Sequence, residues 1–163
     1  VVSTPVLADD LIQGVVKHLA EQADVRAVLG AYPGGDVPWL FQHTLFLPVE
    51  GTSSTAAVLT RNGGWAGPNL HNTMRFPRLG LELWCDPQRD AAGHVSDPGE
   101  AQRRILHALW AIDTHLHLPA GGDRFWGTVR VVSSIRLNEP DPYLVPDGGG
   151  LLRVAVFYAV TEA

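Results

Sequence analysis

The stretch Asp97–Leu118, DPGEAQRRILHALWAIDTHLHL, decides the fold. Asp97 is placed to accept the first free backbone N–H groups of a helix, Pro98 suits its first turn, and Glu100 holds the acid position of a capping box. Ile105, Leu109, Ile112 and Leu116 recur at helical spacing and draw one apolar stripe, which Leu106 and Trp110 widen. Arg103, Arg104 and Asp113 stay off its centre, and Pro119 with Gly121-Gly122 ends it. A helix of about five turns with one apolar face needs a sheet to lie on. The segments on both sides carry strand patterning.

Immediately upstream, Thr73–Cys85 alternates at its end, with Leu79, Leu81, Leu83 and Cys85 on one face and Gly80, Glu82 and Trp84 on the other. Thr55–Thr60 predicts a short strand running into Arg61-Asn62-Gly63-Gly64, a turn signal, with a loop from Trp65 to Asn72. Residues 39–47 are apolar on both faces and predict an extended piece after the loop at 31–38. Thr4-Pro5 opens a first helix with Leu7, Leu11, Val15 and Leu19 four apart. Gly14 weakens it by up to about 1 kcal/mol relative to Ala. Asp24 caps a short turn over Val25–Leu29 that Gly30 ends.

Downstream, Phe125–Leu137 predicts one strand, with Val129, Val131, Ile135 and Leu137 inward and Thr128, Arg130, Ser134 and Arg136 outward. Residues 138–150 are too rich in Pro, Asp and Gly to be regular. Leu151–Val160 places Leu152, Val154, Val156, Tyr158 and Val160 on one face and Arg153, Ala155, Phe157 and Ala159 on the other. A strand with two apolar faces is central in a sheet or covered by a second subunit. The order predicts a single α+β domain over residues 1–163: an antiparallel or mixed sheet of four to five strands with two helices packed on one face. Residues 37–53 read as an added arm or interface strand.

Composition narrows the function classes. The 163 residues are 45% apolar and 18% charged, with a formal charge of −5. That net negative charge disfavours a grip on nucleic acid through clustered Lys and Arg; Lys17 is the sole lysine, and Arg carries nearly all the positive charge. One cysteine, Cys85, excludes an intramolecular disulfide and a Cys-rich zinc site. Val1–Leu11 lacks the basic start of a signal peptide, and no apolar run approaches the roughly 20 residues that span a bilayer. The expectation is a soluble protein made in the cytoplasm, without a membrane partner.

Candidate chemistry is sparse. His115 and His117 lie two apart on the helix, pointing about 200° from each other, so they do not share an ion while the helix continues; polar residues at the helix's negative end explain them. His18, His43, His71, His94 and His107 are scattered. Cys85 sits on an inward strand face as a small core filler. Ser53-Ser54 and Ser133-Ser134 lack a nucleophile elbow, and the glycine pairs lack phosphate-loop context. Glu139, Asp141 and Asp147 share one loop without EF-hand spacing, as a solvated loop does. No catalytic residue, metal or cofactor is expected.

The aromatics carry a different signal. Trp39, Trp65, Trp84, Trp110 and Trp126 are many for this length. Trp84 and Trp126 fall opposite the apolar stripes of their strands. With Phe157 they predict an outward patch that a partner, or the loop at 61–75, must cover.

The layout also resembles a family. Thr60-Arg61-Asn62-Gly63-Gly64 after a short strand, the strand Arg78–Cys85, the Glu-Ala helix and the tail SSIRLNEPDPYLVPDGGGLLRVAVFYAVTEA follow in order. This is similar to the tail terminator, or tail completion, proteins of long-tailed bacteriophages, particularly those infecting actinobacteria. Leu137-Asn138-Glu139-Pro140-Asp141 and the final Val/Tyr strand ending Thr-Glu are the most telling match. The resemblance covers roughly residues 8–30 and 55–163. It implies a virion protein, assembled in the host cytoplasm, that forms a ring, six subunits being the expected number. The ring caps the tail tube at its head-proximal end, ends tube polymerisation and docks the head connector. Implied partners are other copies of the chain, the tube protein and the head-closure protein, with genome DNA passing through unbound. Trp84, Trp126, Phe157, Arg153 and Phe46 are the subunit-interface candidates, and Glu139, Asp141, Asp147 and Arg61 those for a lumen or docking loop. The alternatives are another head–tail joining or tube-forming subunit, a small metal-dependent hydrolase built on histidines, and an isolated ligand-binding domain.

Overall fold

A computed structural model describes residues 8–42, 49, 51–66, 75–119, 124–144 and 150–162. The central helix, α3 (Pro98–Leu116), begins as its sequence predicts: the Asp97 carboxylate accepts the Glu100 backbone N–H at 3.2 Å. Glu100 pairs its own carboxylate with Arg104, four residues on. Arg104 in turn donates to the backbone carbonyls of Ser53 and Asp86, fastening the first half of α3 to two strand ends. Ile105, Leu109, Ile112 and Leu116 are all buried, each on the stripe read from the spacing.

The helix lies on a mixed sheet. Its strands are β1 (Leu40–Gln42), β2 (Thr55–Ala66), β3 (Arg75–Cys85), β4 (Arg124–Trp126), β5 (Val129–Arg136), β6 (Tyr143–Leu144) and β7 (Leu152–Glu162). The spatial order is β1-β2-β3-β7-β5-β4, with β6 pairing the start of β7. Only β1 runs parallel to its neighbour among these pairs. Two further helices, α1 (Ala8–Ala20) and α2 (Ala23–Val28), share the α3 side, their apolar residues merging with the inward faces of β2, β3, β5 and β7 in one core. The α+β class is as expected. The strands exceed the expected four to five because short edge pieces join the sheet and one long segment folds back on itself.

Three local readings change. Arg61-Asn62-Gly63-Gly64 is not a turn; β2 runs through it, absorbing one extra residue as a bulge between Arg61 and Gly64. Asp24 does not cap α2; Gln22 holds that position, and the Asp24 carboxylate meets His115 Nε2 at 2.9 Å. Phe125–Leu137 is not one strand. It reverses at Gly127, whose φ of +63° suits glycine, into the β4–β5 hairpin.

That hairpin reverses side-chain directions twice. Trp126 points inward and is 1% exposed, stacked on His18 of α1 at 6.1 Å between ring centroids. Then β5 takes an extra residue between Val131 and Ser133. Val129 and Val131 face the core as predicted, but beyond the bulge Ser134 is buried while Ile135 and Leu137 emerge on the outer face. Since alternation has a period of two, one inserted residue exchanges the faces of everything after it.

The exchange gives the core a polar centre. Arg136 now reaches the helix side, where its guanidinium meets the Asp113 carboxylate at 3.0 Å. The buried Tyr158 hydroxyl donates to the other Asp113 oxygen at 2.6 Å. Asp113, which the helical pattern left off the apolar stripe, is thus buried and doubly bonded, as a buried carboxylate must be.

Candidate assembly surface

The outer face of the sheet, opposite the helices, holds most of the residues that sequence reasoning assigned to an interface. At the β3–β7 pair, Trp84 stands across from Arg153 in register. The Arg153 guanidinium lies 5.6 Å over the Trp84 ring and pairs with Glu82, which also accepts the Trp84 indole N–H at 3.1 Å. Charge, ring and carboxylate hold one another flat against the sheet, a geometry favoured for Arg over an aromatic face.

One end of this face is covered by the chain itself. Trp39 and Val49 pack with Ala56 and Leu151, and Trp84 and Phe41 lie against that cluster. Trp39 and Val49 thus give Trp84 a partial cover from within the chain. The loop named for that cover, 61–75, is largely strand where it is described.

The other end is open. Phe157 is 37% exposed, Ile135 43% and Leu137 49%, and the three adjoin: Ile135 is opposite Ala159, and the Leu137 backbone N–H donates to the Phe157 carbonyl at 2.8 Å. Gly80 and Ala155 leave Phe157 standing above its neighbours. Phe125 extends the same side at β4. Just past Leu137, the Asn138 side chain replaces a strand. Its amide donates to the Ala155 carbonyl at 3.0 Å and its oxygen accepts the Phe157 N–H at 2.8 Å.

Of the nominated interface residues, Trp84, Arg153 and Phe157 share the outer face, whereas Trp126 is corrected to the core for the hairpin reason above. Phe46 and Asp147 lie outside the described residues. Glu139 is exposed and 3.8 Å from Arg136; Asp141 is exposed; Arg61 is half-buried in β2, away from both. Ile135 and Leu137 were missed, since the period-two pattern assigns them inward. Only the polar pair Ser133-Ser134 interrupting an apolar run hints at the bulge.

The histidines separate as their helical angle requires. His115 bonds Asp24, while His117 Nδ1 accepts the Arg136 backbone N–H at 3.1 Å. Among the described residues no group of three His, Cys, Asp or Glu side chains is placed to hold a metal. Cys85 is buried, and burial pushes its thiol above the usual range, against reactivity. No helix among the described residues is long and apolar enough to cross a membrane.

No protein-family model and no curated protein sequence matches the chain. Among solved structures, a chain of the virion of a native gene transfer agent particle is similar over 91% of this chain and 92% of its own, with a TM-score of 0.58 and 17% identity. At that identity the likeness is one of fold, and it runs nearly end to end in both chains.

Proposed function

We propose that the chain is a structural virion protein acting as a tail terminator. It is one α+β domain that assembles as a ring, with six copies as the working number, on the last ring of the tail tube. The ring ends tube growth and presents a docking surface to the head-closure protein. The observation that carries this reading is the end-to-end likeness to a chain of a virion particle. The open apolar end of the outer sheet face adds a physical reason for assembly. In this reading Phe157 contributes to the subunit contact directly, with Trp84 and Arg153 stiffening the face beside it, and Phe46 is a further contact residue. Glu139 and Asp141, with Asp147 of the same loop and Arg61, are the docking or lumen candidates. No catalysis, metal or cofactor is assigned.

A second reading, another head–tail joining or tube-forming subunit, draws on the same likeness, and behaviour in solution separates the two. Purified chain added to polymerising tube protein is expected to shorten the tubes and to form single annuli by negative stain. Self-propagating tubes from this chain alone would reverse the assignment to a tube subunit. A chain that neither self-associates in light scattering nor alters tube length would remove both. Alanine at His115 and His117, with metal analysis of the purified protein, disposes of the hydrolase alternative if no metal is bound and tube capping persists.

A further inference from the structure

Resting on the ring reading, the geometry points to the two surfaces through which neighbouring copies meet: the Tyr32–Val37 turn of one copy on the Ile135–Leu137–Phe157 patch of the next. The exposed large apolar residues of the described chain are Tyr32, Val37, Trp110, Phe125, Ile135, Leu137 and Phe157. Trp110, 60% exposed beside the Arg136 guanidinium, belongs to α3 on the helix side and not to the sheet. The rest divide between opposite margins of one sheet. Phe125, Ile135, Leu137 and Phe157 lie at the β7-β5-β4 end, whereas Tyr32 and Val37 lie beside β1.

The turn at β1 is built to present its residues. The Tyr32 backbone N–H donates to the Val37 carbonyl at 3.2 Å, and the Tyr32 ring stands edge-on to Trp39 and Phe41, at 6.5 and 6.1 Å. Beneath it, Trp39 is 6% exposed and gives the turn a firm base.

A second copy is the occupant because the patches differ and complement each other. A ring needs heterologous contacts, one patch meeting a different one, and patches at opposite sheet margins pass the contact from copy to copy. Charge agrees. Asp36 is exposed within the Tyr32–Val37 turn, while Arg78, opposite Ala159, is exposed on the face bearing the other patch.

Two variants test this, each altering exposed positions only: Tyr32→Asp with Val37→Asp, and Leu137→Asp with Phe157→Asp. Each alone is expected to be a monomer by light scattering under conditions where the unaltered chain associates. An equal mixture is expected to give a species of two chains and nothing larger, since one intact contact remains between unlike partners. Circular dichroism and a thermal scan verify that each is folded. Should either fail, cross-linking of Val37→Cys protein to Leu137→Cys protein with a short bis-maleimide replaces it, and the mixed product must exceed either self-product. A variant that forms dimers by itself, or two variants that assemble like the unaltered chain, overturns this pairing and leaves the ring reading standing. An unaltered chain that stays single with and without tail tube overturns both.

Discussion

Gly14 shows how one residue reads differently alone and in the fold. In a helix it is a defect, yet a Cβ there would lie 2.0 Å from the Trp126 carbonyl oxygen. Helix α1 and the β4–β5 turn touch through Gly14 and Gly127, backbone on backbone. Gly14→Ala is therefore expected to destabilise the protein. The helix gain of about 1 kcal/mol is outweighed by overpacking of about 1–3 kcal/mol, and the urea midpoint should fall. Tyr158 makes a second such case. Burial first, then the Asp113 hydrogen bond and charge, raise its phenol far above the ordinary range, with Arg136 opposing. The proton is held more tightly in the folded than in the unfolded chain. The stability it contributes is thus complete below pH 10.0 and declines above it. Tyr158→Phe should cost about 1.5–3 kcal/mol, the range for a hydrogen bond to a charged group. In the parent protein, ultraviolet titration should show one tyrosine ionising only as the fold is lost.

At the scale of elements, the bulge in β5 makes a prediction opposite to that of the alternating pattern. If Ile135 and Leu137 were core residues, truncation would cost about 2–5 kcal/mol each. Because they are exposed, Ile135→Ser and Leu137→Ser are expected to change monomer stability by less than about 1 kcal/mol, measured by denaturant unfolding. The junction of α1, α3 and β4 titrates. His18 is stacked on Trp126 and sits edge-on to His115 at 5.9 Å, and His115 is bonded to Asp24 of α2. Burial, followed by the charges of His115 and Arg124, holds the His18 imidazole below its usual value against the pull of Glu21. The folded state prefers the neutral ring. Its contribution is complete above about pH 6.5 and is lost as pH falls through the lowered value. His18→Phe keeps a ring against Trp126 without the proton and should flatten the decline of melting temperature on the acid side. An unchanged decline would assign the acid sensitivity to other groups.

For the whole molecule, the relevant quantities are net charge and surplus apolar surface. With a formal charge of −5, the chain carries no net positive charge to draw it onto a duplex. Filter binding to duplex DNA at physiological salt is expected to show no retention. Salt-sensitive retention would argue for a DNA-gripping role instead. Among the described residues, the exposed apolar side chains of the sheet lie at two margins rather than in one patch, which favours open-ended or ring contacts over a simple two-fold dimer.

How much of this was legible beforehand varies by element. The limits of α3, its buried stripe, the inward faces of β3 and β7 and the α+β class follow from periodicity and capping, which act within a few residues and are written locally. The hairpin at Gly127, the bulges in β2 and β5, the burial of Trp126 and the Asp113–Tyr158–Arg136 centre depend on partners far along the chain. A bulge is one residue that a neighbouring strand declines to pair, and a lone sequence holds no record of its neighbour. The sequence by itself determined which segments are helical or extended and that the sheet carries surplus aromatics. Only the tertiary structure decided which of those aromatics face solvent, because facing is set by register, and register belongs to pairs of strands.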